Sequence, residues 1–179
     1  MPGVQTLVLT VIGDDKTGLV KALADVVAAN GGNWERSQLA ELAGKFAGIV
    51  VVTVPQDQVS ALRRALEPIA GLLDVTVHQV SEQAGTALVA EEQRQGLVIE
   101  VLGNDRPGIV REVSGVLTAH GLSVDDLRTS TRDAPMAGGR LFEAHIVAHA
   151  AASTDPASVR AALEALAQEI QVDLSVEAP

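Results

Sequence analysis

The chain has 179 residues, a formal net charge of −10 and no cysteine, which excludes disulfides, thiolate metal sites and cysteine nucleophiles. Hydrophobic residues make up 47% of the sequence and aromatic residues only 2%, so we expect cores of aliphatic side chains. Direct nucleic-acid binding is not expected, because this acidic chain has no basic patch and too few aromatic rings to stack on bases.

The N-terminal residues 1–6 carry no basic region, and the apolar run that follows them is too short for a signal peptide or a membrane span. We therefore expect a cytoplasmic protein that has no membrane partner.

The first half of the chain is predicted to fold in the order strand, helix, strand, strand, helix, strand. Short β-branched runs indicate the strands, and apolar residues at helical spacing indicate the helices. A hairpin turn is expected at Gly44-Lys45, and the near-continuous apolar run 49–54 predicts a central, covered strand. The predicted elements are a strand over 7–12, a helix from Leu19 that stops at Asn30-Gly31-Gly32, strands over 33–42 and 49–54, a helix marked by Val59, Leu62, Leu66 and Ile69, and a strand marked by Val75, Val77 and Gln79.

The second half is predicted to repeat this order. Between the halves, the polar and acidic segment 81–95 is typical of a linker. The predicted elements are a strand over 97–102, a helix over 107–120, a strand over 122–132, a longer hairpin loop over 134–139, a strand over 141–149, a helix marked by Val159, Leu163, Leu166 and Ile170, and a strand marked by Val172, Leu174 and Val176.

An internal repeat links the two halves. The segment 13–20, Gly-Asp-Asp-Lys-Thr-Gly-Leu-Val, returns as 103–110, Gly-Asn-Asp-Arg-Pro-Gly-Ile-Val, at a constant offset of 90 residues. We predict an α+β protein with two tandem ferredoxin-like βαββαβ domains, over 1–80 and 96–179. Each would have an antiparallel four-stranded sheet with both helices on one face.

The opposite face of each sheet would carry apolar residues, Val8 and Ile12 in the first and Val98 and Leu102 in the second. We expect the sheets to pack against each other or between chains in a homo-oligomer. Alternatively, these residues lie under the linker or the long loop.

The segment 103–108 resembles the G-x-D-R-P-G signature that opens many ACT domains, which are small amino-acid-sensing modules. The resemblance covers both halves and includes the helix-ending glycines Gly31 and Gly121. Two such domains with nothing else attached are similar to the glycine cleavage system transcriptional repressor family. The segment 142–149 also resembles the second domain of that family. The first copy departs from the signature, because Lys16-Thr17 replaces Arg-Pro.

The two strand-to-helix loops are the predicted binding sites. A helix start offers free N–H groups and a positive dipole end to a carboxylate, and glycine allows close backbone approach. Short acidic or amide side chains could accept from an ammonium group. The resemblance implies the same location, since ACT effectors bind near this loop. The predicted ligand-binding residues are Asn104, Asp105, Pro107, Gly108 and Ile109, followed by Asp14, Asp15, Thr17, Gly18 and Leu19.

A purely structural interpretation of the same loops stays open. An Asp before a helix is often an N-cap, a Pro in the first turn is a common stereochemical choice, and the Gly residues serve the turn. His145 and His149 would lie roughly 13 Å apart on a strand and cannot share a metal ion. We find no catalytic motif and predict no cofactor and no metal.

We therefore expect a non-catalytic regulator that binds a small, glycine-like amino acid and controls a protein partner, either a transcription factor or an enzyme. The family resemblance implies transcriptional regulation of glycine cleavage without direct nucleic-acid contact. The alternative is a ligand-independent interaction or dimerisation module that regulates an enzyme.

Overall fold

The computed structural model describes residues 3–80, 95–134, 138–150 and 153–177. The chain forms two compact units, Met1–Val89 and Ala90–Pro179. The predicted linker, 81–95, lies outside the described residues except for Gln95. The middle of the predicted hairpin loop, 135–137, lies outside them as well.

The first unit is a four-stranded antiparallel sheet in the order β2-β3-β1-β4, with two helices. The near-continuous apolar run is β3, which lies inside the sheet as predicted. The elements are β1 (Val4–Asp14), α1 (Leu19–Ala29), β2 (Asn33–Leu42), β3 (Lys45–Pro55), α2 (Val59–Leu66) and β4 (Asp74–Gln79).

The second unit repeats this arrangement with the sheet order β6-β7-β5-β8. Helices α1 and α3 have the same length and keep the offset of the sequence repeat. The elements are β5 (Gln95–Asn104), α3 (Ile109–Ala119), β6 (Leu122–Asp133), β7 (Arg140–Ala150), α4 (Pro156–Ile170) and β8 (Val172–Glu177). The predicted fold class, two βαββαβ units with antiparallel four-stranded sheets, is confirmed.

Each core lies between one face of the sheet and the helices. In the first unit, Leu7, Leu9 and Val11 alternate along β1 and are buried with Leu23 of α1 and Leu62 of α2. A strand points alternate side chains to opposite faces, so the residues between them lie on the helix-free face. The second unit buries the corresponding positions of β5 against α3 and α4.

Three predicted boundaries differ from the structure. The second helix ends at Leu66 and continues as a 3-10 segment, Glu67–Gly71, because Pro68 has no N–H for the next α-helical bond. The hairpin turn consists of Ala43 and Gly44, which have φ values of 53° and 76°, while Lys45 begins β3. Helix α3 begins at Ile109 rather than at Pro107.

Substitution of a core leucine tests this packing. Leu23 is 1% exposed, so Leu23→Ala leaves a cavity and should lower the free energy of unfolding of the first unit by about 2–5 kcal/mol. Val20 lies on the same helix but is 45% exposed, so Val20→Ala should change the free energy of unfolding by less than about 0.5 kcal/mol. Denaturant unfolding measures both. Equal losses in the two variants would contradict the assigned helix orientation.

Candidate functional site

Each unit turns from its first strand into its first helix through a glycine. Gly18 and Gly108 occupy the N-cap positions of α1 and α3 in the left-handed conformation, with φ values of 95° and 98°. Side chains with a Cβ rarely adopt this conformation, which accounts for the glycine at both positions of the repeat.

Neither helix start is capped by a side chain. The cap glycines have no side-chain acceptor, and no side-chain hydrogen bond is made at either cap. Helix α4 shows the contrast, because Asp155 accepts from the backbone N–H groups of Ala157 and Ser158 at 3.1 and 3.2 Å. The interpretation of Asp15 or Asp105 as a helix cap is therefore wrong, since each lies three residues before its cap glycine. Both side chains are exposed.

In the first loop, an ion pair holds the end of β1. The ammonium of Lys45, at the start of β3, donates to the Asp14 carboxylate, and this hydrogen bond lowers the pKa of Asp14. The backbone N–H of Asp15 donates to the carbonyl oxygen of Gly44 at 2.9 Å. The β2–β3 hairpin therefore fixes the backbone of this loop and neutralises one of its two carboxylates.

In the second loop, the ion pair runs from the loop to the helix. Both guanidinium NH groups of Arg106 donate to the Glu112 carboxylate, at 3.3 and 2.5 Å, and this bonding lowers the pKa of Glu112. The Asp105 backbone N–H donates to the carbonyl oxygen of Arg140 at 2.8 Å, which matches the hairpin contact in the first unit. Asn104 takes the position of Asp14 and is exposed.

The surroundings of the two cap glycines differ. A Cβ placed on Gly18 would meet no atom within 4 Å, so the space beside this backbone is open. A Cβ on Gly108 would lie 3.6 Å from Glu112 Oε1, 3.7 Å from an Arg111 guanidinium nitrogen and 3.9 Å from one of Arg106. Two guanidinium groups, one from the loop and one from α3, therefore lie beside the second helix start, and none lies within 4 Å of the Cβ position at Gly18.

The predicted site residues fall into two groups. The first group is exposed and lies at the strand ends and loops that lead into the uncapped helix starts: Asp14, Asp15, Thr17, Asn104, Asp105 and Pro107. Leu19 and Ile109 are 4% and 2% exposed, because their side chains belong to the cores. These two residues can offer a ligand only their backbone groups.

Sequence reasoning missed the charged partners of both loops. Lys45 was placed in a turn, and its pairing with Asp14 depends on the register of β1 and β3. Arg106, Arg111 and Glu112 were not selected as site residues. The six-residue separation of Arg106 and Glu112 gave no pairing signal, because a glycine turn intervenes between loop and helix.

The two histidines of β7 have separate carboxylate partners. His145 Nδ1 lies 3.6 Å from Glu100 and His149 Nδ1 lies 2.6 Å from Asp125. Among the described residues, no group of three or more His, Asp or Glu side chains is arranged to hold a metal ion. No helix in the described part of the chain has the length and apolar character needed to cross a membrane.

The Arg106–Glu112 pair predicts a pH-dependent stability difference. The pKa of Glu112 is lowered from its ordinary value of 4.5, so the pair stabilises the folded state above that pH and the stabilisation is lost as pH falls through the folded value. Glu112→Gln should therefore lower the free energy of unfolding at pH 7, and the difference from the unmodified protein should shrink toward pH 3.

Denaturant unfolding of the second unit at both pH values measures this effect. Glu164→Gln, at an exposed position of α4, serves as the control and should leave stability nearly unchanged at both. A Glu112→Gln effect that stays constant between pH 7 and pH 3 would contradict the assigned ion pair.

Comparison with known proteins agrees with this duplicated architecture. The ACT domain family matches residues 5–79 and, separately, residues 97–168. The chain is 25% identical over 170 residues to the glycine cleavage system transcriptional repressor of Escherichia coli, a match that covers 95% of this chain and 88% of the relative. The relative of the same name from Shigella flexneri matches with the same identity and coverage.

A solved structure matches over nearly the whole chain. The crystal structure of an unknown protein from Galdieria sulphuraria has 27% sequence identity and a TM-score of 0.85, with 99% of each chain covered. The two matched family segments together span most of the sequence. The chain therefore belongs to the ACT domain family and carries two ACT domains in tandem.

Proposed function

We propose that the protein is a non-catalytic regulator that binds a small amino acid at its strand-to-helix loops and passes the bound state to a protein partner. The observation that carries this proposal is the pair of glycine-started helices, whose uncapped first turns adjoin exposed Asp and Asn side chains. The proposed ligand-binding residues remain those predicted from the sequence, with Arg106 and Arg111 added.

The two ends of a free amino acid match different parts of these loops. Its carboxylate would accept from the N–H groups of the first helical turn, where the helix dipole also favours negative charge. Its ammonium would donate to Asp105 or Asn104 in the second loop, or to Asp15 in the first. A small side chain is favoured, because the binding groups approach the backbone closely at glycine.

Charge favours the second loop as the stronger site. Arg106 and Arg111 lie beside Gly108 and would add charge-assisted hydrogen bonds to a carboxylate. In the first loop, Lys45 already occupies the Asp14 carboxylate, which leaves Asp15 as its exposed acceptor. The second loop also retains the Arg-Pro of the ACT signature, where the first has Lys16-Thr17.

The partner and pathway are proposed from the likeness to the repressors. A chain with a net charge of −10 is poorly suited to bind DNA directly, so control of transcription would pass through a second protein. We take glycine as the first ligand to test and glycine cleavage as the regulated process, because these relatives are glycine cleavage system repressors.

A ligand-independent interaction module is the second candidate. The observation that favours it is that both loops already pair charged groups within the chain, Asp14 with Lys45 and Arg106 with Glu112. A ligand carboxylate would have to compete with Glu112 for Arg106. Under this alternative, the loops only stabilise the fold, and no amino acid alters its stability.

Calorimetric melting with each of the twenty amino acids separates the two candidates. A ligand present at 100 times its dissociation constant should stabilise the unit that binds it by about 2.7 kcal/mol. We expect glycine or another small amino acid to raise one melting transition. No response to any amino acid would support the ligand-independent module instead.

Two equivalent substitutions locate the site. Asp105→Asn removes the carboxylate charge at nearly constant shape, and Asp15→Asn makes the same change at the matching position of the first loop. We expect Asp105→Asn to weaken ligand affinity at least tenfold, about 1.4 kcal/mol, and Asp15→Asn to weaken it less. Isothermal titration measures both affinities. Unchanged affinity in both variants would place the ligand elsewhere.

A further inference from the structure

The helix-free face of the first sheet is apolar at its centre. Residues of the two inner strands, β1 and β3, form this surface, and Ile12 and Ile49 are 52% and 48% exposed. Charged groups lie at its borders: Arg36 on β2, Asp74 on β4, and the Asp14–Lys45 pair at one end. We call this surface the apolar face, and its central residues are Val8, Thr10, Ile12, Ala47, Ile49 and Val51.

The corresponding face of the second sheet is charged. It forms an open concavity of about 630 Å³ whose lining includes Glu100, Arg128, Glu143 and Asp173. The difference is seen at equivalent positions of the two sheets. Thr10 pairs with Ile49 across the first sheet, and at the corresponding place in the second sheet Glu100 pairs with His145. The two units therefore share a fold but present different chemistry to a partner.

We propose that the apolar face binds the same face of a second copy of this chain, so that the protein self-associates through paired first sheets. Two apolar centres would bury each other without unpaired charges, and the charged borders would form the partly hydrated rim of the interface. A partner surface with the charges of the second sheet fits poorly, because those side chains would lose water without gaining ion-pair partners.

The size of the face is compatible with a stable dimer. At 3.4 Å per residue and 4.8 Å between strands, the four strands span on the order of 600 Å² of sheet plane. Two such faces, counted with their charged rims, would bury about 1,200 Å², the lower limit for specific interfaces. The arrangement of apolar centre and charged border is also that of a protein interface.

Symmetry allows the two faces to complement each other. In sheet-on-sheet packing, the strands of the two layers run within about 30° of each other. A two-fold axis parallel to the strands, between β1 and β3, places β3 of one copy over β1 of the other. This axis keeps each residue at its height along the strands, so the register partners Val8 and Val51, Thr10 and Ile49, and Ile12 and Ala47 would also meet across the interface. Each of these contacts would occur twice.

Substitution at Ile12, with its repeat equivalent as control, tests this interface. Light scattering after gel filtration should give a mass that is a multiple of 18.5 kDa for the unmodified protein. Ile12→Lys should halve this mass, because the interface would bury a lysine. Leu102→Lys makes the same change at the equivalent, 37% exposed position of the second sheet and should leave the mass unchanged.

Cross-linking keeps the test decisive if Ile12→Lys fails to fold. The chain has no cysteine, so Thr10→Cys introduces a single thiol at the centre of the apolar face, and Glu100→Cys introduces one at the matching position of the second sheet. A short bismaleimide should link Thr10→Cys copies into covalent dimers and link Glu100→Cys copies far less. A monomeric unmodified protein, an unchanged mass for a folded Ile12→Lys variant, or equal cross-linking of both cysteine variants would overturn the proposal.

Discussion

A left-handed glycine at the start of the first helix determines the candidate site in each unit. Gly18 and Gly108 turn the chain from the end of an inner strand into the helix with φ values that other residues rarely adopt. The same glycines have no side chain to accept hydrogen bonds from the first helical turn. The geometry that makes the compact corner therefore also leaves backbone donors at the surface, and Asp and Asn side chains beside them can receive a cation.

The sequence predicted the features that depend on local signals. The bounds of α1 follow from Gly18 at its start and Asn30-Gly31 at its end. The start of α3 was predicted two residues too early, at Pro107, because Gly108 is its N-cap. The alternative interpretation of Asp15 and Asp105 as caps was wrong, because they have the residue type of a cap but lie three residues before the capping glycines. The charge pairs at the two loops could not be predicted. Lys45 reaches Asp14 only through the register of β1 and β3, which neither segment specifies alone.

The repeat constrains the two faces of each sheet differently. The helix-covered faces keep aliphatic residues at matching positions, such as Leu9 and Ile99, because any polar group there would lose water without a partner. The helix-free faces have no such requirement from the fold itself. Isoleucine at position 49 and histidine at position 145 occupy equivalent places in the first and the second sheet. The fold alone therefore does not determine the difference between these two faces.

Strand β1 connects the proposed ligand site of the first unit with its apolar face. Ile12 lies at the centre of that face, and Asp14, two residues further along the strand, pairs with Lys45 at its border. An amino acid that draws Asp14 or Lys45 out of this pair changes the charge at the edge of the interface. Linkage then requires self-association to change the affinity for the amino acid by the same factor.

The second loop has no such connection, because its ion pair joins Arg106 to a helix on the other side of the sheet. Coupling between ligand binding and self-association is therefore a property expected of the first unit, even though the second loop offers the stronger binding groups.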